Sequence, residues 1–287
     1  MGQELINRSG DAATPLWATQ VMIDRPGLVQ AIHADYFKAG STVATTNTYA
    51  IHHDRLKDFG LDDRFAALHA QALKEAQDAR KAVGRGRIAG SIGPLGASYR
   101  TDVGPEHETA VRLYGEVAAI LAPQVDVILG ETIATLGQAR ALLEGAAKTG
   151  KPVWLSVTVE DRDGTKLRSG EPVAELAVIA RGGASAVLAN CSAPEAMAAA
   201  LDKLSATGLP FGCYANGFKQ ITEDFLKDRP TVDALESRPD LTAELYADFA
   251  EHWAGQGATI IGGCCETTPV HIAAIAKRLK DKGYRTE

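Results

Sequence analysis

Four cysteines among 287 residues are too few to staple a chain of this size. A disulfide framework is therefore excluded as the organising device, and a reducing, cytoplasmic setting is expected. No uninterrupted apolar run approaches the roughly 20 residues needed to cross a bilayer, and Met1 to Gly10 is polar, without the apolar centre of a secretory leader. Basic stripes are missing as well. With a formal net charge of −6 and its densest basic run confined to Arg80, Lys81, Arg85 and Arg87 at a Gly-punctuated turn, the chain offers no nucleic-acid surface. No Gly-x-Gly-x-x-Gly turn follows the first apolar segment, which argues against an open dinucleotide-binding sheet.

What is present is alternation. Short β-prone runs are expected as strands at about 3–8, 42–46, 87–92, 125–130, 152–158, 185–190, 210–214 and 257–262. Helical stretches lie between them. Pro172, Pro194 and Pro269 stand where a first helical turn needs no N–H, and Gly40, Gly150 and Gly208 where a helix would end. Eight strand–helix pairs over 1–287 fit one α/β domain, a (β/α)8 TIM barrel with its chemistry at the carboxyl ends of the strands. Asn216 to Asp240 is the longest departure and reads as an extended loop over that mouth or a plain surface insertion.

The polar residues at these ends carry the chemistry. Cys191 follows Ala-Ser-Ala-Val-Leu-Ala-Asn, and Cys264-Cys265 follow Ile-Ile-Gly-Gly. Three thiolates converging with one position open suit a catalytic zinc ion (Zn2+). Packing as small apolar residues and a strained vicinal disulfide are the other readings of the same cysteines. Cys213, inside a strand, reads as core. Glu131 stands directly above an apolar strand, placed to hold a substrate ammonium, act as a base or pair with an arginine. His52-His53 reads as a solvated loop pair, and no lysine sits at a strand end to form a Schiff base.

Several motifs together resemble the homocysteine S-methyltransferase family. They are His33 to Tyr49, Ser91-Ile-Gly-Pro-Leu-Gly96, Gly130-Glu-Thr-Ile133, Leu167-Arg-Ser-Gly-Glu-Pro172, Ala189-Asn-Cys-Ser192 and Gly262-Gly-Cys-Cys-Glu-Thr-Thr-Pro269. The resemblance implies that Cys191, Cys264 and Cys265 ligate zinc, that Glu131 holds the homocysteine ammonium, and that Asn47 and Asn190 shape the site. Family members usually end their first strand with Asp-Gly-x-x-Gly-Thr, whose Asp also contacts the amino group and whose loop amides hold the carboxylate. Ser9-Gly10-Asp11-Ala12-Ala13-Thr14 is the stretch expected there, with Ser9 in place of the Asp and Ala12, Ala13 and Thr14 as the carboxylate loop; either Asp11 substitutes from two residues along or the second ammonium contact is missing.

The implied reaction moves a methyl group from a cationic donor to the homocysteine thiolate, giving methionine. Trp17 is the first candidate for an aromatic donor wall, with Tyr49, Tyr99 and Tyr214 beside it. Thr132 stands where the betaine-using branch carries an aromatic. The reading therefore leans to a sulfonium, S-methylmethionine or S-adenosylmethionine, over betaine. The Ser9 departure leaves a different thiol or selenol acceptor as the alternative, and a non-catalytic zinc protein as the third. Expected partners are these small molecules, with no membrane or nucleic acid, and a homo-oligomer is compatible with all of it.

Overall fold

The computed structural model describes residues 1–227 and 230–286. Its frame is a single parallel sheet of seven strands in the order β1 to β7, curled into a half-barrel. The strands are β1 Val43–Thr45, β2 Arg87–Ile92, β3 Val127–Ile133, β4 Val153–Val157, β5 Ala184–Asn190, β6 Phe211–Ala215 and β7 Ile260–Gly263. Each pairs in parallel with its sequence neighbour, the pattern that strand–helix–strand crossovers produce. Seven of the eight expected strands are present.

The first is not. Residues 3–8 form part of a helix, α1 Gly2–Ser9, and the sheet begins at Val43. The reason is local. Glu4 sits in the first turn and Arg8 in the last, paired at 2.7 Å one turn apart, and Gly10 closes the end in the left-handed conformation with φ 70°. A two-residue apolar run, Leu5-Ile6, does not outweigh these signals, and only Leu5 is buried deeply.

The remaining helices are α2 Ala18–Asp24, α3 Leu28–Ala39, α4 His53–Lys57, α5 Phe65–Val83, α6 His107–Leu121, α7 Leu136–Ala146, α8 Leu176–Ile179, α9 Pro194–Ser205, α10 Ala243–Gly255 and α11 Pro269–Asp281. Pro194 and Pro269 open α9 and α11 as expected, while Pro172 precedes a 3-10 turn that leads into the short α8. Gly40, Gly150 and Gly208 all take positive φ. The helices cover the sheet's outer face, and the main core lies between the two layers, with Leu68, Leu73, Leu142, Leu155, Met197 and Leu201 almost fully buried. β6 and β7 approach so closely that a Cβ on Gly212 would stand 1.8 Å from the Ile260 carbonyl oxygen. No described helix is long and apolar enough to cross a membrane.

Candidate metal and substrate site

At the carboxyl ends of the strands the three cysteines meet. Cys191 follows β5 and Cys264-Cys265 follow β7, and their sulfurs lie within 4.8 Å of one another. Cys191 and Cys264 are joined in a disulfide with their Cα atoms 5.7 Å apart, a pairing that reading the sequence did not include. The vicinal pair is thus not the bonded one; Cys265 is free. Disulfide and metal thiolate are alternative states of the same sulfurs, and reduction makes all three available. The donor set fits zinc: three soft ligands converge on the edge of a cavity, and among the described residues no His, Asp, Glu or fourth Cys joins them. Burial pushes the Cys265 thiol up to about 12, so a thiolate there needs a nearby cation.

The turn that presents Cys264 and Cys265 depends on one glycine. A Cβ on Gly263 would lie 2.2 Å from Thr267 Oγ1, the hydroxyl that donates to the Cys264 carbonyl at 2.7 Å. Gly262 has ordinary room, so of the two glycines only Gly263 makes such a close approach.

Glu131 reaches the same cavity by a different device. β3 runs on to Ile133 instead of ending before Glu131, and its register with β4 shifts between Gly130 and Ile133, with Thr132 at φ 59°. Such a bulge re-aims a side chain. Asn190 pins it: Oδ1 accepts from the Thr132 N–H at 2.9 Å and from Ser156 Oγ at 2.7 Å, while Nδ2 donates to Thr132 Oγ1 at 2.9 Å. Both Glu131 oxygens are held, one by the Ser91 hydroxyl and the other by Tyr214 Oη at 3.0 Å. Burial raises its carboxyl above the ordinary range, and these two hydrogen bonds oppose the shift.

Asn190→Ala should unpin the bulge. It strands the Thr132 N–H in the core, at about 1–3 kcal/mol, so a lowered unfolding midpoint and weaker substrate binding are expected together, by thermal melt and KM. A full KM effect without any loss of stability would mean that Asn190 touches substrate itself.

The other sequence candidates divide. Asn47 is buried on the cavity wall with Nδ2 donating to the Ala18 carbonyl at 3.1 Å. Thr14 and Trp17 also line the cavity. Asp11 does not: it is exposed and paired with Arg25 at 3.0 Å, and Ala12 and Ala13 lie off the cavity beside it. Ser9 ends a helix, its hydroxyl donating to the Ile6 carbonyl at 3.0 Å, so the comparison of Ser9–Thr14 with a strand-end motif fails on geometry. His52 is not solvated; it is buried against the Gly93 carbonyl, and desolvation lowers it to about 3. Cys213 is fully buried outside the sulfur cluster. Cys213→Ser is accordingly expected to leave the metal content of the reduced protein unchanged, measured by elemental analysis; lost metal would make the site a closed four-ligand one.

The aromatic wall is broader than the sequence showed. Trp17 meets Tyr49 edge-on at 6.1 Å, and Tyr99 meets Phe225 edge-on at 5.8 Å. Phe225 comes from the 216–240 segment, whose Phe218 and Phe225 line the cavity; residues 228 and 229 of that segment lie outside the described residues. Arg168 stacks over Tyr99 at 5.5 Å and is held by Asp161 through two 2.8 Å contacts. Phe225 carried no signal beyond residue type, since it meets Tyr99 from far along the chain, whereas Arg168 stands within the Leu167 to Pro172 motif and was not singled out there. Five non-glycine residues have positive φ: Trp17, Tyr99, Thr132, Cys191 and Glu266. The first four line the cavity and Glu266 adjoins Cys265. Backbone strain of roughly 1–3 kcal/mol per residue concentrates where side chains must be aimed.

Comparison with known proteins agrees with this geometry. The family model described as homocysteine S-methyltransferase matches residues 1–279. The homocysteine S-methyltransferase of Escherichia coli K12 is 31% identical, across 97% of this chain and 93% of its own length. The crystal structure of the E. coli homocysteine methyltransferase MmuM in a metallated form superposes with a TM-score of 0.80 at 28% identity, covering 97% of this chain and 94% of that one. An oxidized form of the same protein superposes equally well, with a TM-score of 0.80 at 29% identity, covering 97% and 93%. On the extent of these matches the chain belongs to the homocysteine S-methyltransferase family and is a methyltransferase enzyme.

Proposed function

We propose that the enzyme methylates homocysteine from a sulfonium donor, with Cys191, Cys264 and Cys265 holding zinc and Glu131 holding the substrate ammonium. One observation carries the reading: the three sulfurs and the buried carboxylate face a single cavity that is walled by aromatic rings. Zinc on three thiolates would leave one position for the homocysteine sulfur and keep that sulfur deprotonated at neutral pH.

The chain's own residues do the positioning. Glu131, fixed by Ser91 and Tyr214, meets the ammonium and sets the direction of the substrate side chain. Trp17, Tyr49, Tyr99 and Phe225 present ring faces and edges that favour a desolvated cation over a neutral product. The substrate sulfur attacks the donor methyl carbon in line. A sulfur–carbon bond forms as the donor's sulfur–carbon bond breaks, and the departing electron pair leaves a neutral thioether with less hold on the aromatic wall. Holding both reactants in one cavity removes the entropic barrier of a bimolecular encounter.

The test is methionine formation from homocysteine under reductant with S-methylmethionine, S-adenosylmethionine and betaine supplied separately. The sulfonium donors should turn over fastest. Betaine as the best donor would overturn the donor assignment, and no methionine from any of the three would overturn the acceptor.

A further inference from the structure

Two arginines stack on the rings of the aromatic wall, and only one of them is neutralised. Arg168 lies over Tyr99 at 5.5 Å and is matched by Asp161 through two 2.8 Å contacts. Arg55 lies over Tyr49 with its guanidinium carbon 5.6 Å from the ring centroid, and no carboxylate pairs with it among the described residues. Its Nη2 donates to the Pro94 carbonyl at 3.0 Å, and its Nε is buried with no partner. Asp54, the neighbouring acid, is committed elsewhere. One of its oxygens accepts from the Arg55 main-chain N–H at 2.9 Å and the other from the Gly96 N–H at 2.6 Å. Arg100, also on the cavity, is paired with Asp102. A half-buried guanidinium without a counterion is costly to desolvate unless an anion completes it.

The position of this charge says which anion. Arg55, Tyr49 and Trp17 all line the cavity that holds the three sulfurs. Tyr49 meets Trp17 edge-on at 6.1 Å, and its hydroxyl is anchored to Ser98 Oγ at 2.8 Å. Its ring therefore joins a cation-attracting surface to an uncompensated positive charge. The acceptor side is built differently: there Ser91 and Tyr214 hold Glu131, the carboxylate that meets an ammonium. A ligand that fits the Tyr49 side is positive at one end and negative at the other. S-methylmethionine and S-adenosylmethionine both have that form, a sulfonium joined by a short alkyl chain to an α-carboxylate. No second cation competes for the carboxylate from the histidine close by. Desolvation first and the Arg55 charge second lower the buried His52 imidazole, which keeps it neutral.

We propose that Arg55 binds the α-carboxylate of the sulfonium donor and so selects, among cations, those that carry one. The proposal rests on the sulfonium-donor reading above and adds the group that discriminates between donors. Aromatic rings attract any soft cation, so the wall by itself does not distinguish an amino-acid sulfonium from a bare one such as trimethylsulfonium. The guanidinium does, because a bare cation leaves it without an anion. The Pro94 carbonyl already holds Arg55 Nη2, so less side-chain freedom remains to be lost when the donor arrives. The contact outlasts the reaction as well. The thioether product keeps its carboxylate, so Arg55 holds donor and product alike, and its contribution falls in donor binding and not in the chemical step.

Titration calorimetry on the reduced protein tests this apart from turnover, with S-methylmethionine and its methyl ester as the two ligands. The ester keeps the sulfonium and loses the carboxylate charge. Arg55→Met keeps an apolar stem against Tyr49 and removes the guanidinium. It should weaken S-methylmethionine binding by about 10- to 100-fold and leave the ester at its wild-type affinity, and Arg55→Lys should recover part of the loss. Equal weakening of acid and ester would overturn the proposal, since a disturbed wall loses both alike. Wild-type protein that binds the two ligands equally, or binds neither, would overturn it too. Kinetics then separate the two substrates. In Arg55→Met the KM for S-methylmethionine should rise while kcat and the homocysteine KM stay unchanged; a rise confined to the homocysteine KM would move Arg55 to the acceptor carboxylate and overturn the assignment. Absence of turnover with every donor would overturn the methyl-transfer reading, and the calorimetric difference between acid and ester would still stand.

Discussion

Cys265→Ser is expected to strip the reduced enzyme of zinc and to lower homocysteine methylation by more than about 100-fold, with little change in the thermal midpoint of the metal-free protein. Changes to groups that merely support a metal ligand already weaken affinity or activity by about 10- to 100-fold, and this change removes a ligand outright. Cys265 is the informative position because it is the free thiol of the three; Cys191 and Cys264 are bonded to each other, and a change at either would mix loss of a ligand with loss of the disulfide. The wild-type control must be reduced first for the same reason. Bound metal and activity that survive in Cys265→Ser would remove the thiolate centre from the mechanism.

The second large effect is at Glu131. Glu131→Gln keeps the shape and two polar atoms but replaces a charge-assisted contact to the substrate ammonium. Hydrogen bonds to charged groups contribute about 1.5–3 kcal/mol, which corresponds to a loss of roughly 10- to 100-fold in kcat/KM, most of it in the KM for homocysteine. Acid should act in the same direction. Burial raises the Glu131 carboxyl, so it takes up a proton at a higher pH than an ordinary glutamate. Protonation abolishes the charge that attracts the ammonium, and KM should climb on the acid side as pH falls through that raised value; above it the carboxylate is fully present. The glutamine variant should lack this acid limb. An unchanged acid limb in Glu131→Gln would assign the titration to another group, and an unchanged KM would place the ammonium elsewhere.

Loss of ordering at Tyr214 would be felt through the same carboxylate, because its hydroxyl is one of the two groups that hold Glu131. This separates two roles that the sequence reading combined. Tyr214 was expected as part of the donor wall, yet its hydroxyl is committed to the acceptor side. Phe225 adds to the donor side from a segment in which the sequence offered no reason to single it out.

Much of the molecule was determined by local sequence. Seven strands lie where β-prone runs bounded by turns and proline-started helices put them, since periodicity and capping act over a few residues. The convergence of Cys191 with Cys264-Cys265 followed from placing each at a strand end, because parallel strands in one curled sheet share a mouth. Residues 3–8 became a helix for a local reason as well, an ion pair one turn apart and a glycine cap that outweighed two apolar side chains, and that moved Ser9 and Asp11 away from the mouth. Tertiary structure alone decided the rest. Glu131 owes its direction to a bulge locked by Asn190, 58 residues further on. The aromatic wall and the pairing of Cys191 with Cys264 across 73 residues likewise arise between segments far apart in the chain. Short-range propensity carries no information about such contacts; they are fixed by which surfaces must be buried against one another once the sheet has curled.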